Sequence, residues 1–210
     1  MKGRYYIAAV ILLAVVLAVV AVYYIHEKPE NAALTSKSGK TDKVDQLFGE
    51  MGIIPVSGAA GPFDIALQDL DGRAVNLSEY KGKIVFLNFM TTWCQSCRDE
   101  VSSMNKLYDG LKDKNFAMVA LDLEEQASVV KKFVKEFKLS FTMLLDSDAR
   151  AQRLFGVRTI PTTFILDKKG KAVGSAAGPR EWESKKSIAL FEYLISGETG
   201  PPPRRGTGLP

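Results

Sequence analysis

The sequence predicts an α/β fold: one mixed central sheet with helices on both faces, preceded by an apolar N-terminal helix. Three observations predict it. Strand-like and helix-like segments alternate through most of the chain. Two of the strand-like segments are apolar almost throughout, the mark of strands buried on both faces. Late in the chain, two short strand-like runs flank Asp167-Lys168-Lys169-Gly170, a hairpin turn. Helices between buried strands imply right-handed parallel crossovers, and the late turn adds antiparallel pairing.

The N-terminal element comes first. After Met1-Lys2-Gly3-Arg4, the stretch from Tyr5 to Ile25 is apolar and uncharged. As a helix it reaches about 31 Å, enough for the hydrocarbon core of a bilayer. Lys2 and Arg4 place the N-terminus in the cytoplasm and the rest outside, and Tyr5, Tyr6, Tyr23 and Tyr24 fall at the two interfaces. The competing reading is a cleaved secretory signal, for which Val19-Val20-Ala21 is a candidate site without the usual Ala-x-Ala form. Both readings export the remainder. Residues 1–26 are thus expected as a single-pass anchor in the cytoplasmic membrane, with the globular domain extracytoplasmic, on the periplasmic side.

Residues 27–62 read as a polar tether rich in Ser, Lys, Gly and Ala. Within it Val44, Leu47, Phe48 and Met51 follow helical spacing, a stripe able to dock on the domain or on a partner. Residues 63–196 read as the globular domain, a common size for one domain. Residues 197–210, with Pro201-Pro202-Pro203 and Arg204-Arg205, read as a disordered tail.

Inside the domain, Asp64 to Gln68 leads through the Asp71-Gly72 turn to Ala74-Val75-Asn76. Lys83 to Met90 and Phe116 to Leu123 are the two buried strands. Between them lies a helix with Val101, Met104, Leu107 and Leu111 on one side. Val129, Val130, Phe133, Val134 and Phe137 mark the next helix. A short strand follows from Phe141 to Leu145, then a brief helix through Leu154 and Phe155. Thr162 to Leu166 and Lys171 to Ala176 are the hairpin strands, and a last helix from about Ser184 to Ile195 stops at Gly197.

The chain has two cysteines, Cys94 and Cys97, in Trp93-Cys94-Gln95-Ser96-Cys97-Arg98. Two thiols with two residues between them close into a small disulfide and reopen. At a helix start the first thiol is acidified by free backbone N–H groups and the helix dipole. Zinc is excluded by ligand count, since it needs four ligands and the single histidine, His26, lies far upstream. A c-type haem needs histidine after the second cysteine, where Arg98 stands. A structural staple is the bland alternative, but so small a loop removes little entropy from the unfolded chain. The net charge of +4 comes from interspersed acids and bases, so no basic stripe marks a nucleic-acid partner.

Several segments, taken in order, resemble the thioredoxin-like superfamily and specifically the TlpA/ResA-type membrane-anchored thiol–disulfide oxidoreductases of bacteria. They are Leu77-Ser78-Glu79-Tyr80-Lys81-Gly82-Lys83, Val85-Phe86-Leu87-Asn88-Phe89, Thr92-Trp93-Cys94 to Glu100, and Gly156-Val157-Arg158-Thr159-Ile160-Pro161-Thr162-Thr163-Phe164. The resemblance spans about Phe63 to Ile195, and the stretch from about Ala127 to Phe155 matches the extra helix and strand of that family. It implies Glu100 as the proton handler; the plain rival is a glutamate favoured by the helix dipole. It implies Pro161 as a cis-proline facing the dithiol, with Ile160 presenting backbone to a bound chain; the rival is a trans proline opening a strand. Trp93 is expected as a partly exposed lid beside the cysteines, with packing as the rival account. Departures are Met90 and Thr91 before the motif, Gln95-Ser96 between the cysteines, and Ser102 in place of a helix proline. They bear on redox poise.

The resemblance implies dithiol exchange without metal, flavin or nucleotide, through a redox-active Cys94–Cys97 disulfide. The implied partners are a protein thiol/disulfide substrate and an integral membrane thiol carrier as electron donor. The implied direction is reduction of protein disulfides, with apocytochrome c as a candidate substrate in cytochrome c maturation. The alternatives are a thiol–disulfide oxidant or isomerase, a thiol peroxidase, and a copper-assembly protein, the last two disfavoured by the paired cysteines and by the lack of nearby histidine.

Overall fold

The computed structural model describes residues 13–22, 43–56 and 64–197. Residues 13–22 are helical. Among the described residues no helix is long and apolar enough to cross a membrane. The expected span from Tyr5 to Ile25 lies partly outside them, as does the expected tail beyond 197.

The folded unit opens with α1 (43–51) and β1 (Ile54–Pro55). Then come β2 (Ala66–Asp69), β3 (Ala74–Asn76), a short 3-10 turn (Leu77–Tyr80) and β4 (Ile84–Met90). After these follow α2 (Gln95–Leu111), β5 (Phe116–Leu123), α3 (Ala127–Phe137), β6 (Thr142–Asp146) and α4 (Arg150–Leu154). The described residues close with β7 (Thr162–Leu166), β8 (Ala172–Ala177) and α5 (Lys185–Ser196). Among the described residues one sheet holds all the strands in the order β1-β8-β7-β4-β5-β6-β2-β3. β4, β5 and β6 run parallel, β7 runs antiparallel to β4, and β8 runs antiparallel to β7. The expected mixed sheet is present.

Alternation along the strands divides the core. Ile84, Phe86 and Met90 of β4, with Phe116, Met118 and Ala120 of β5, pack in the layer that also holds α1, α2, α3 and α5. Val85, Leu87 and Phe89, with Ala117, Val119 and Leu121, pack on the other side with Leu77 and with Ala151 of α4. Both β4 and β5 are buried along their whole length, which is what two covered faces require. Trp182, wholly buried, lies edge-on to Phe86 with ring centres 4.7 Å apart and fills the space between β4 and α5.

The stretch expected as a tether contains folded chain. Val44, Leu47, Phe48 and Ile53 are buried in the first layer, and β1 pairs with β8. The apolar stripe therefore docks on the domain itself. Gly174 of β8 makes the dock possible: a Cβ there would lie 2.8 Å from Ile53 Cγ2 and 3.0 Å from the Phe48 ring.

Candidate active site

The first cysteine closes the end of a helix. Cys94 is the N-cap of α2, and its Sγ accepts the Cys97 N–H at 3.2 Å. Ser96 Oγ lies 3.4 Å from the same sulfur. Cys94 and Cys97 are joined as a disulfide with Cα atoms 5.2 Å apart. Cys94 is 7% exposed and Cys97 1%, so the first sulfur is the accessible one. Trp93, 72% exposed, stands over the surface beside it with no buried packing role.

One turn further along α2, Glu100 faces the interior with Cys97 and Val101. Its Oε2 accepts the Trp182 Nε1–H at 3.0 Å and the Arg180 N–H at 3.1 Å. Its Oε1 accepts Asn88 Nδ2–H at 3.1 Å, and the same amide nitrogen donates to Thr163 Oγ1 at 3.0 Å. Burial pushes the Glu100 carboxyl up to about 7; the three donors and the nearby Arg180 charge hold it from rising further. Its burial and its three donors set it apart from a surface glutamate favoured only by the helix dipole.

The loop after β8 supplies two of those donors and is itself anchored. The Arg180 guanidinium donates to the carbonyls of Met51, Gly52, Ala177 and Gly178 at 2.8–3.0 Å. Trp182 N–H donates to Ser103 Oγ of α2 at 3.1 Å. The Ile160–Pro161 bond is cis, and the Pro161 carbonyl accepts the Gly178 N–H at 2.8 Å. Pro161 is buried and Ile160 half-buried, immediately before β7. Thr163, two residues on, is the partner of Asn88 across the β4–β7 pair.

The structure thus assembles Cys94, Cys97 and Glu100 on α2 as the sequence placed them, with Trp93 exposed next door. Asn88, Thr163, Arg180 and Trp182 complete the Glu100 environment and were not singled out as site residues from sequence. A tryptophan in the otherwise polar run Pro179-Arg180-Glu181-Trp182-Glu183 was the one available signal. Among the described residues no group of three or more His, Cys, Asp or Glu side chains could hold a metal ion.

A disulfide at a helix N-terminus, one turn from a buried acid of near-neutral pKa, on a thioredoxin-like sheet, defines a thiol–disulfide oxidoreductase. Residues 58–174 match the AhpC/TSA family. Thiol-disulfide oxidoreductase ResA of Bacillus thuringiensis subsp. konkukian (strain 97-27) is 38% identical over 131 residues, 62% of this chain and 73% of the relative. ResA of Bacillus subtilis (strain 168) is 35% identical over 115 residues, 55% of this chain and 64% of its own. Among solved structures, the thiol:disulfide interchange protein DsbE of Chlorobium tepidum superposes with a TM-score of 0.59 at 29% identity, covering 69% of this chain and 99% of that one. StoA of Bacillus subtilis gives 0.54 at 28% identity, covering 62% and 99%. The chain belongs to the AhpC/TSA family and, within it, to the ResA-type thiol–disulfide oxidoreductases.

Proposed function

We propose that this oxidoreductase works as an extracytoplasmic reductant of protein disulfides, held at the membrane by its N-terminal segment. The observation that carries the chemistry is Glu100, a buried acid near neutrality one turn behind the second cysteine. In the reduced enzyme, the Cys97 N–H and the Ser96 hydroxyl that now meet Cys94 Sγ favour its thiolate, as does the start of α2. That thiolate attacks one sulfur of a substrate disulfide. The substrate S–S bond breaks, a mixed disulfide forms, and the first substrate sulfur leaves as thiolate. Cys97 then gives its proton to the Glu100 carboxylate and attacks Cys94 Sγ. The mixed disulfide breaks, and the second substrate sulfur leaves and takes a proton. Two electrons pass from the dithiol to the substrate.

Trp93, Ile160 and Pro161 form the proposed contact surface for the substrate chain. Trp93 offers exposed aromatic area beside the accessible sulfur, and Ile160 and Pro161 lie on the connection whose carbonyl meets the Glu100-binding loop. The reading includes a membrane thiol carrier as electron donor, to which tethering raises the effective concentration. It also includes apocytochrome c as a candidate substrate, on the resemblance to ResA. The experiment is the reduction potential of the Cys94–Cys97 pair, equilibrated against thiol buffers. A potential near the roughly −270 mV of thioredoxin supports a reductant, and one near about −120 mV makes the enzyme an oxidant or isomerase and overturns this reading.

A further inference from the structure

A second buried acid stands behind the nucleophile turn, and the exchange steps above do not use it. Asp122, near the end of β5, is fully buried; neither of its oxygens has a partner at full hydrogen-bond geometry, and the Glu125 backbone N–H is the donor turned toward it. The charged group that faces it is another carboxyl, Glu125, in the connection to α3. Glu125 is already committed: its Oε2 accepts the Thr92 N–H at 2.6 Å and its Oε1 accepts the Thr92 Oγ–H at 2.8 Å. The Thr92 carbonyl accepts Arg98 Nη1–H at 3.2 Å, so every polar group of Thr92 is held. Arg98 is fixed in turn by an ion pair with Glu136 and lies over the Phe137 ring at 4.8 Å. Thr92 is two residues before Cys94.

Where a buried carboxyl faces a half-buried one, the buried one tends to keep its proton, because ionising both puts like charges together. Both Glu125 oxygens accept from Thr92. For Asp122, burial and the facing carboxyl outweigh the Glu125 N–H, which suits the acid. Its pKa is pushed up to about 8, first by burial and then by Glu125. The neighbours of Asp122 across the sheet are Met90 on β4 and Leu145 on β6, neither of which titrates. From α2, Arg98 reaches the cluster through the Thr92 carbonyl, and α3 contributes Glu136 through Arg98. Glu100 is bound by Asn88, Arg180 and Trp182.

We propose that Asp122, as a neutral acid donating to Glu125, is a positioning residue that locks the Thr92-Trp93-Cys94 turn, and that its ionisation frees the turn. No covalent step is involved. The inference rests on the dithiol chemistry of the Cys94–Cys97 pair and is independent of the direction of electron flow.

The test follows the Thr92 amide proton by NMR in the oxidised full-length chain, from about pH 6 to about pH 10, where neither cysteine titrates. The expected result is one step centred near pH 8. Asp122→Asn, whose amide still donates to Glu125 but has no proton to lose, removes the step and keeps the neutral-pH shift. Glu100→Gln leaves the step in place. In the reduced chain, Asp122→Ala slows exchange with a model disulfide at neutral pH by about tenfold through loss of positioning, and Asp122→Asn restores the rate to within about twofold. No step in the parent chain, a step that survives Asp122→Asn, or an Asn variant as slow as the Ala variant overturns the proposal. Should Asp122→Ala fail to fold, the titration of the Asn variant decides alone. A high reduction potential would defeat the reductant reading and leave all of these signals unchanged.

Discussion

Glu100 is only 3% exposed yet accepts three hydrogen bonds, so two opposing effects set its hold on a proton. Burial raises its pKa to about 7 and wins over the donors, which is what the proposed transfer of the Cys97 proton requires. Glu100→Gln should slow the resolving step by about a hundredfold, within the range of general acid–base catalysis. It should also erase the limb of the pH–rate profile near 7, and a stopped-flow profile identical to the parent's would remove Glu100 from the mechanism. Trp182→Phe keeps the ring but deletes the indole donor to Oε2. A hydrogen bond to a charged group is worth about 1.5–3 kcal/mol, so that limb should move upward by about one unit or more. Cys94→Ser should abolish disulfide reduction. Cys97→Ser should instead trap a mixed disulfide on Cys94, visible as an added mass that a thiol reductant removes.

At the scale of elements, the N-terminal dock depends on a missing methyl group. Gly174→Ala puts a Cβ into Ile53 and Phe48, which must move to admit it. Overpacking of this kind costs about 1–3 kcal/mol. The variant should melt at lower temperature and be cut faster within residues 43–56, with the disulfide unaffected. The α1 stripe was legible because Val44, Leu47, Phe48 and Met51 keep helical period; its partner was not, because nothing local marks Gly174 as the space it fills. The buried strands were legible for a similar reason, since β4 and β5 are apolar on both faces. The place of β2 was not: its pairing with β6 carries the sheet past the parallel strands, and such long-range pairing leaves no period in the chain. The site divides the same way. Cys94, Cys97 and Glu100 share the first turns of one helix and could be read together. Arg180 and Trp182 reach Glu100 from 80 and 82 residues away, a separation that leaves no local pattern in the chain.

For the molecule as a whole, two buried acids tie stability to pH. Glu100 and Asp122 both titrate higher in the fold than in the unfolded chain, so the native state holds more protons between those values. Stability from this source is complete below about pH 4 and is lost as pH rises through about 7 and about 8. Asp69 and Asp109 are shifted downward, so their opposite effect falls below the same window. Urea unfolding of the oxidised chain should therefore show stability falling from mildly acidic to mildly alkaline solution by a few kcal/mol, roughly, and the Glu100→Gln/Asp122→Asn pair should flatten the slope. An equal slope in the double variant would assign the dependence to other groups. A last consequence belongs to the sheet's two margins. One is β1, two residues long and ending in Pro55; the other is β3, three residues long. An exposed strand recruits a foreign strand through its free N–H and C=O groups, and short or proline-bearing margins offer few. Chains crowded side by side thus meet, in these two described margins, little template for growth into aggregates.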